Sequence, residues 1–151
     1  EGANIVVEVL DARDPEGGRC LELEAKAKAK EGGGLLLVLN KVDLVPAANA
    51  KKWLRELAKV APVVPFVAAE KEKNGAIPSQ IEATSVDLLR TTLQKHFPHL
   101  PSASVLLAGF PHAGKASLLS LLHRHLPPAP AGTPFSLSPT LSVLPTPLIT
   151  P

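Results

Sequence analysis

Four short apolar runs, each giving way to a polar or glycine-bearing loop and then to a helix-forming stretch, restrict this chain to an alternating α/β architecture. They occupy residues 4–10, 35–39, 63–68 and 103–108. Runs of this length and apolar content read as strands buried on both faces, the pattern of a mainly parallel sheet. Pro65 within the third run implies an edge position or a bulge, because proline cannot donate to a central ladder. Between the runs, residues 21–31 alternate Ala with Glu and Lys, strong helix formers, and Gly32-Gly33-Gly34 supplies a stop. After Pro46, the residues Ala50, Trp53, Leu54, Leu57 and Val60 fall on one helical face, which makes Trp53 a core residue. Residues 70–80 read as a polar loop. Thr84 and Asp87 then form a capping-box-like start for a helix carrying Val86, Leu89, Leu93 and Phe97 as far as Pro98. A Leu-rich helix is expected over 115–126.

The 151 residues suffice for one domain, and an apolar content of 45% with mean hydropathy +0.15 excludes a chain disordered throughout. No apolar run approaches the ~20 residues of a membrane helix, so a soluble chain without membrane contact is expected. The single cysteine, Cys20, excludes a disulfide framework. With 16 Lys+Arg against 14 Asp+Glu, the net charge of +2 gives no support to direct RNA binding by these residues alone. Lys26, Lys28 and Lys30 fan around a helix and read as a solvated face. The chain contains no Met and opens at Glu1, as a piece of a longer protein would. Eight of its 16 prolines lie in the last 25 residues, which divides it into a regular part, 1–126, and a Pro-rich tail, 127–151.

Residues Gly109-Phe110-Pro111-His112-Ala113-Gly114-Lys115-Ala116-Ser117 follow a strand and open a helix, the context of a phosphate-binding P-loop. Glycines at both ends let backbone N–H groups turn inward onto phosphate oxygens, Lys neutralises them, and the helix N-terminus adds its positive end. A strand–turn–helix corner with chance glycines is the bland alternative. One term departs: the residue after Lys should carry the hydroxyl that ligates Mg²⁺, and it is Ala116. Ser117 points roughly 100° further round the helix.

Asn40-Lys41-Val42-Asp43 closes the second strand. An Asp here can accept from both guanine donors at once, and adenine would leave that carboxylate unpaired. The Lys stem can cover the base, and the Asn amide can tie the loop to the P-loop. Ala68, at the small-residue end of the third strand, could offer a backbone N–H to the guanine oxygen. As an alternative, the four residues are a bare strand terminus in an ATP-using P-loop enzyme.

The guanine-reading loop precedes the P-loop, the reverse of the order in ordinary small GTPases. Together with Val9-Leu10-Asp11-Ala12-Arg13-Asp14-Pro15, Leu39-Asn40-Lys41-Val42-Asp43-Leu44-Val45-Pro46 and Gly109 through Lys115, this order resembles the circularly permuted GTPases, specifically their nucleostemin-like group. The resemblance runs from Asn4 to about Leu122. It implies a three-layer α/β P-loop GTPase-type domain with a mainly parallel sheet. It also implies GTP or GDP as ligand, Mg²⁺ as the family's metal, location in the nucleus and nucleolus, and partners in the pre-60S ribosomal particle or among nucleolar proteins. The family pattern for the P-loop is G-F-P-N-V-G-K-S-S, so His112, Ala113 and Ala116 are departures. Aligned on the family's D-[ST]-P-G segment, the tail places Pro145 where an Asp holds the metal water and Leu148 where a Gly contacts the γ-phosphate, while Ile149 fits a hydrophobic position. The resemblance with these departures implies guanine-nucleotide binding with weak or lost hydrolysis, or a pseudo-GTPase docking module without turnover.

Five histidines (96, 99, 112, 123, 125) suggest no metal site: His123 and His125 do not share a helical face, and the others are expected in loops. Asp11, Arg13 and Asp14 read as residues that tie down the loop after the first strand.

Overall fold

A computed structural model describes residues 5–67, 79–98 and 105–125, with side chains of residues 79–83 excepted. Ala68, His99 and the tail at 127–151, with Pro145, Leu148 and Ile149, lie outside the described residues. The elements alternate as the sequence requires: β1 (Ile5–Asp11), α1 (Leu21–Ala29), β2 (Gly34–Asn40), α2 (Ala47–Ala58), β3 (Val63–Phe66), α3 (Ser79–His96), β4 (Val105–Ala108) and α4 (Lys115–His125). The strands form one parallel sheet in the order β3-β2-β1-β4.

Period-2 alternation divides the strands between two cores. Ile5, Val7, Val9, Leu36 and Val38 face α3 and α4, meeting Val86, Leu89, Leu93, Leu118, Leu121 and Leu122. Val6, Leu10, Leu35, Leu37 and Leu39 face α1 and α2, meeting Ala27 and Leu57, with Trp53 half-buried beside them. The result is the expected three-layer sandwich. All seven residues of β2 are buried, which is why its sequence shows no polar alternation. Pro65 occupies the edge strand β3, opposite Leu39, where its missing N–H costs no ladder bond inside the sheet.

Several boundaries depart from the sequence reading. The third helix begins at Ser79, five residues before the expected capping box, so Ser79 and Gln80 are helical and Thr84 sits inside α3. Asp87 is not a cap partner: its carboxylate accepts from Arg90 Nη2 at 2.9 Å, one turn on. Strand β3 ends at Phe66, before Val67. His96 is the last residue of α3, not part of a loop. Gly34 belongs to β2, where a Cβ would stand 2.1 Å from the Phe97 ring.

Two carboxylate side chains, Glu8 and Glu24, are buried among the described residues. Glu8 alternates with Val6 and Leu10 toward α1 and is fully buried. Its Oε1 accepts from the Cys20 N–H at 2.8 Å, while Arg19 clasps Glu24 with two bonds of 2.8 Å each. These contacts fix the loop after β1 and the start of α1 against the sheet.

Candidate functional site

Parallel strands place their C-terminal ends on one edge of the sheet, where open α/β sheets bind ligands. Here the ends of β1, β2 and β4 bring together Asp11, Asn40-Lys41 and the loop that opens at Gly109. The loop turns at Phe110–Ala113, closed by Ala113 N–H donating to the Phe110 carbonyl at 3.3 Å, and enters α4 at Lys115. Two glycines make this path accessible. Gly109 has φ +142°, and a Cβ there would lie 2.5 Å from the Val9 carbonyl oxygen of the neighbouring strand. Gly114 has φ +101°, and a Cβ there would lie 2.1 Å from Asn40 Nδ2.

The two motifs read separately in the sequence are joined by side chains. Asn40 is fully buried, and its Nδ2 donates to the Ala113 carbonyl at 2.9 Å. Lys41 Nζ donates to the His112 carbonyl at 2.6 Å. Lys115 Nζ turns back over its own loop, donating to the Phe110 carbonyl at 2.8 Å and to the Gly109 carbonyl. Burial pushes the Lys115 ammonium below its ordinary pKa. Ala113 is buried in the α3–α4 core, which anchors the loop from beneath. Asp43 lies in the 3-10 turn Val42–Leu44 and projects into solvent, as does Pro111. Exposure leaves the Asp43 carboxylate open to an incoming ligand.

Ala116 is exposed in the first turn of α4, and Ser117 beside it is half-buried. A methyl group therefore stands at the position where the family pattern has Ser. Among the described residues, no group of three or more His, Cys, Asp or Glu could hold a metal ion.

The loop-tying reading of the 11–14 segment holds and extends further than the sequence indicates. Arg13 grips Asp11 through Nε at 3.0 Å and Nη2 at 2.7 Å, and Gly17 N–H donates to Asp14 Oδ1 at 3.0 Å. Asp11 Oδ2 also meets Lys41 Nζ at 3.2 Å. Sequence reasoning missed this contact.

No family model matches the chain. It is 35% identical over 125 residues to nucleolar GTP-binding protein 2 of Schizosaccharomyces pombe, covering 82% of this chain and 22% of that protein. It is 36% identical over 136 residues to guanine nucleotide-binding protein-like 3 of Homo sapiens, covering 81% of this chain and 25% of the relative. The chain thus spans about a quarter of the length of these curated relatives. Among solved structures, the GDP-bound structure of TM YlqF superposes with a TM-score of 0.51 and 26% identity, over 81% of this chain and 44% of that one. With the guanine-type loop preceding the P-loop along one parallel sheet, and with these relatives, the chain belongs to the circularly permuted GTPases, in their nucleostemin-like group.

Proposed function

We propose that this chain is the guanine-nucleotide-binding domain of a nucleolar GTP-binding protein, taking GTP or GDP. The observation that carries this reading is the pinning of Asn40 and Lys41 onto consecutive P-loop carbonyls at 2.9 and 2.6 Å. This couples a base-reading loop to a phosphate-binding loop and sets their spacing. Backbone N–H groups at the N-terminus of α4 and the Lys115 ammonium receive the phosphates. Asp43 accepts from the guanine ring, the Lys41 stem covers the base, and Ala68 supplies a backbone N–H to the guanine oxygen. The names of the relatives, nucleolar and GTP-binding, support both the ligand and the location, and the pre-60S particle or nucleolar proteins are the partners this reading implies.

The test is Asp43→Asn. An Asn presents a donor where guanine also presents donors, so GTP affinity should fall at least tenfold and xanthosine triphosphate affinity should rise in exchange, following the cost of an unpaired buried polar group. Equal affinity of the wild-type chain for GTP and ATP would overturn guanine reading.

Hydrolysis is weak or lost in this reading. Ala116 supports that part, since a P-loop without the hydroxyl ligand holds Mg²⁺ poorly, and stabilising developing charge is most of phosphoryl-transfer catalysis. In single-turnover measurements, Mg²⁺ should not accelerate GTP hydrolysis, and family-like Mg²⁺-dependent turnover would refute this. The same residue favours a second reading, a docking module whose bound nucleotide is structural. In both, residues 1–126 form the domain and 127–151 are a remnant of the switch region.

A further inference from the structure

We propose that Asp11 is a positioning residue for guanine-nucleotide recognition, holding the Lys41 ammonium in the place from which it grips the P-loop. The proposal rests on the nucleotide-binding reading above. The hydrogen bond from Lys41 to the His112 carbonyl joins two residues that both have left-handed backbones, φ +62° at Lys41 and φ +63° at His112. Neither is glycine, and Lys41 is not one of the Asn, Asp and His residues enriched in this region. Such conformations are strained for side-chain-bearing residues and persist only where the surroundings over-determine them.

Asp11 supplies that over-determination on the Lys41 side. Its Oδ1 accepts the Arg13 backbone N–H at 2.9 Å and Arg13 Nε at 3.0 Å. Its Oδ2 accepts Arg13 Nη2 at 2.7 Å, leaving one remaining direction, and Lys41 Nζ occupies it at 3.2 Å. The planar guanidinium fork fixes the plane of the carboxylate, and the carboxylate fixes the ammonium. The backbone keeps the two ends in step: Asp11 and Asn40 are register partners, and Ala12 N–H donates to the Asn40 carbonyl at 2.8 Å. The Arg13 and Lys41 partners also hold Asp11 well below the usual carboxylate range, so the anchor stays charged throughout the neutral region.

The Lys41 ammonium is thereby held between the Asp11 carboxylate and the His112 carbonyl, at the end of the stem that covers the base in the reading above. Without Asp11 the ammonium would swing into water, and both strained residues would lose a restraint. Affinity for the nucleotide should fall through Lys41 alone, with the selectivity set by Asp43 unchanged.

The experiment is a double-mutant cycle on the full chain, read by fluorescence titration with mant-GDP, with urea unfolding of each variant free of nucleotide. Asp11→Asn should weaken mant-GDP binding by about tenfold, the worth of a charge-assisted hydrogen bond. The ratio of GTP to xanthosine triphosphate affinity should stay as in the wild type. In a Lys41→Met background, which keeps the stem and removes the ammonium, adding Asp11→Asn should change affinity by less than about twofold. Arg13→Gln, at an exposed position, should give a smaller loss of the same kind and serves as the second probe should Asp11→Asn not fold. An equal loss with and without the Lys41 ammonium would make Asp11 merely structural and overturn the proposal. A wild-type chain that binds no mant-GDP would instead overturn the nucleotide-binding reading, and this inference with it.

Discussion

Glu8→Gln is expected to stabilise the chain at pH 8 by about 3 kcal/mol while leaving its stability near pH 4 almost unchanged. Glu8 is fully buried on the central strand β1. Burial is the main cause that pushes its carboxyl up to about 7 from 4.5, opposed by the Cys20 N–H and reinforced by Glu24. Among the described residues no donor reaches Oε2, whereas Glu24 has both oxygens held by Arg19, which lowers its pKa. Below about pH 7 the folded state therefore keeps a proton on Glu8. The sign follows from proton counting. Below pH 4.5 both folded and unfolded chains hold the proton, and this group's contribution is fully present. Between 4.5 and about 7 only the folded chain holds it, so stability falls by roughly 1.4 kcal/mol per pH unit, and above 7 the loss is complete. Asp11 and Glu24, both held low by arginines, act in the opposite sense and only at more acid pH. A Gln amide has nearly the shape of the protonated acid and cannot ionise. Urea unfolding from pH 4 to 8 reads the difference, and parallel curves for variant and wild type would refute the raised Glu8 carboxyl.

How much of this was legible in the sequence depends on the range of each interaction. The strands were readable because burial on both faces strips polar residues from them, and β2 is the extreme case. The P-loop was readable because its chemistry is contiguous, glycine and lysine within seven residues. The start of α3 was misplaced because Thr84 and Asp87 have capping spacing, yet Asp87 spends its carboxylate on Arg90. The helix is instead extended to Ser79, and its buried Val86, Leu89 and Leu93 lie well inside it. The contact of Asp11 with Lys41 spans thirty positions and depends on β1 and β2 being neighbours in the sheet, which no local spacing encodes. Glu8 did leave a trace: a carboxylate inside an apolar run must find partners. Which partners it finds, Cys20 and the Arg19–Glu24 pair, is settled only when α1 folds over β1.

The largest effect on the site itself should come from Gly114→Ala, which is expected to cost about 2–5 kcal/mol of stability and to abolish nucleotide binding. Two costs combine. An L residue at φ +101° is strained in any surroundings, and the added Cβ would meet Asn40 Nδ2 at 2.1 Å. Asn40 cannot simply move aside. It is fully buried at the end of β2, and its amide is spent on the carbonyl of Ala113, the residue next to the substitution. Relieving the clash therefore breaks that bond and takes it from the buried Ala113 carbonyl, while the P-loop separates from the loop carrying Lys41 and Asp43. This account makes a specific demand on a second variant. Asn40→Ala removes the obstructing amide, so in that background Gly114→Ala should cost only its backbone strain, roughly 1–2 kcal/mol. Urea midpoints of the four proteins decide the matter: strictly additive losses would mean that the glycine is required for its φ alone, and that the contact between Asn40 and the P-loop does not set the geometry of the site.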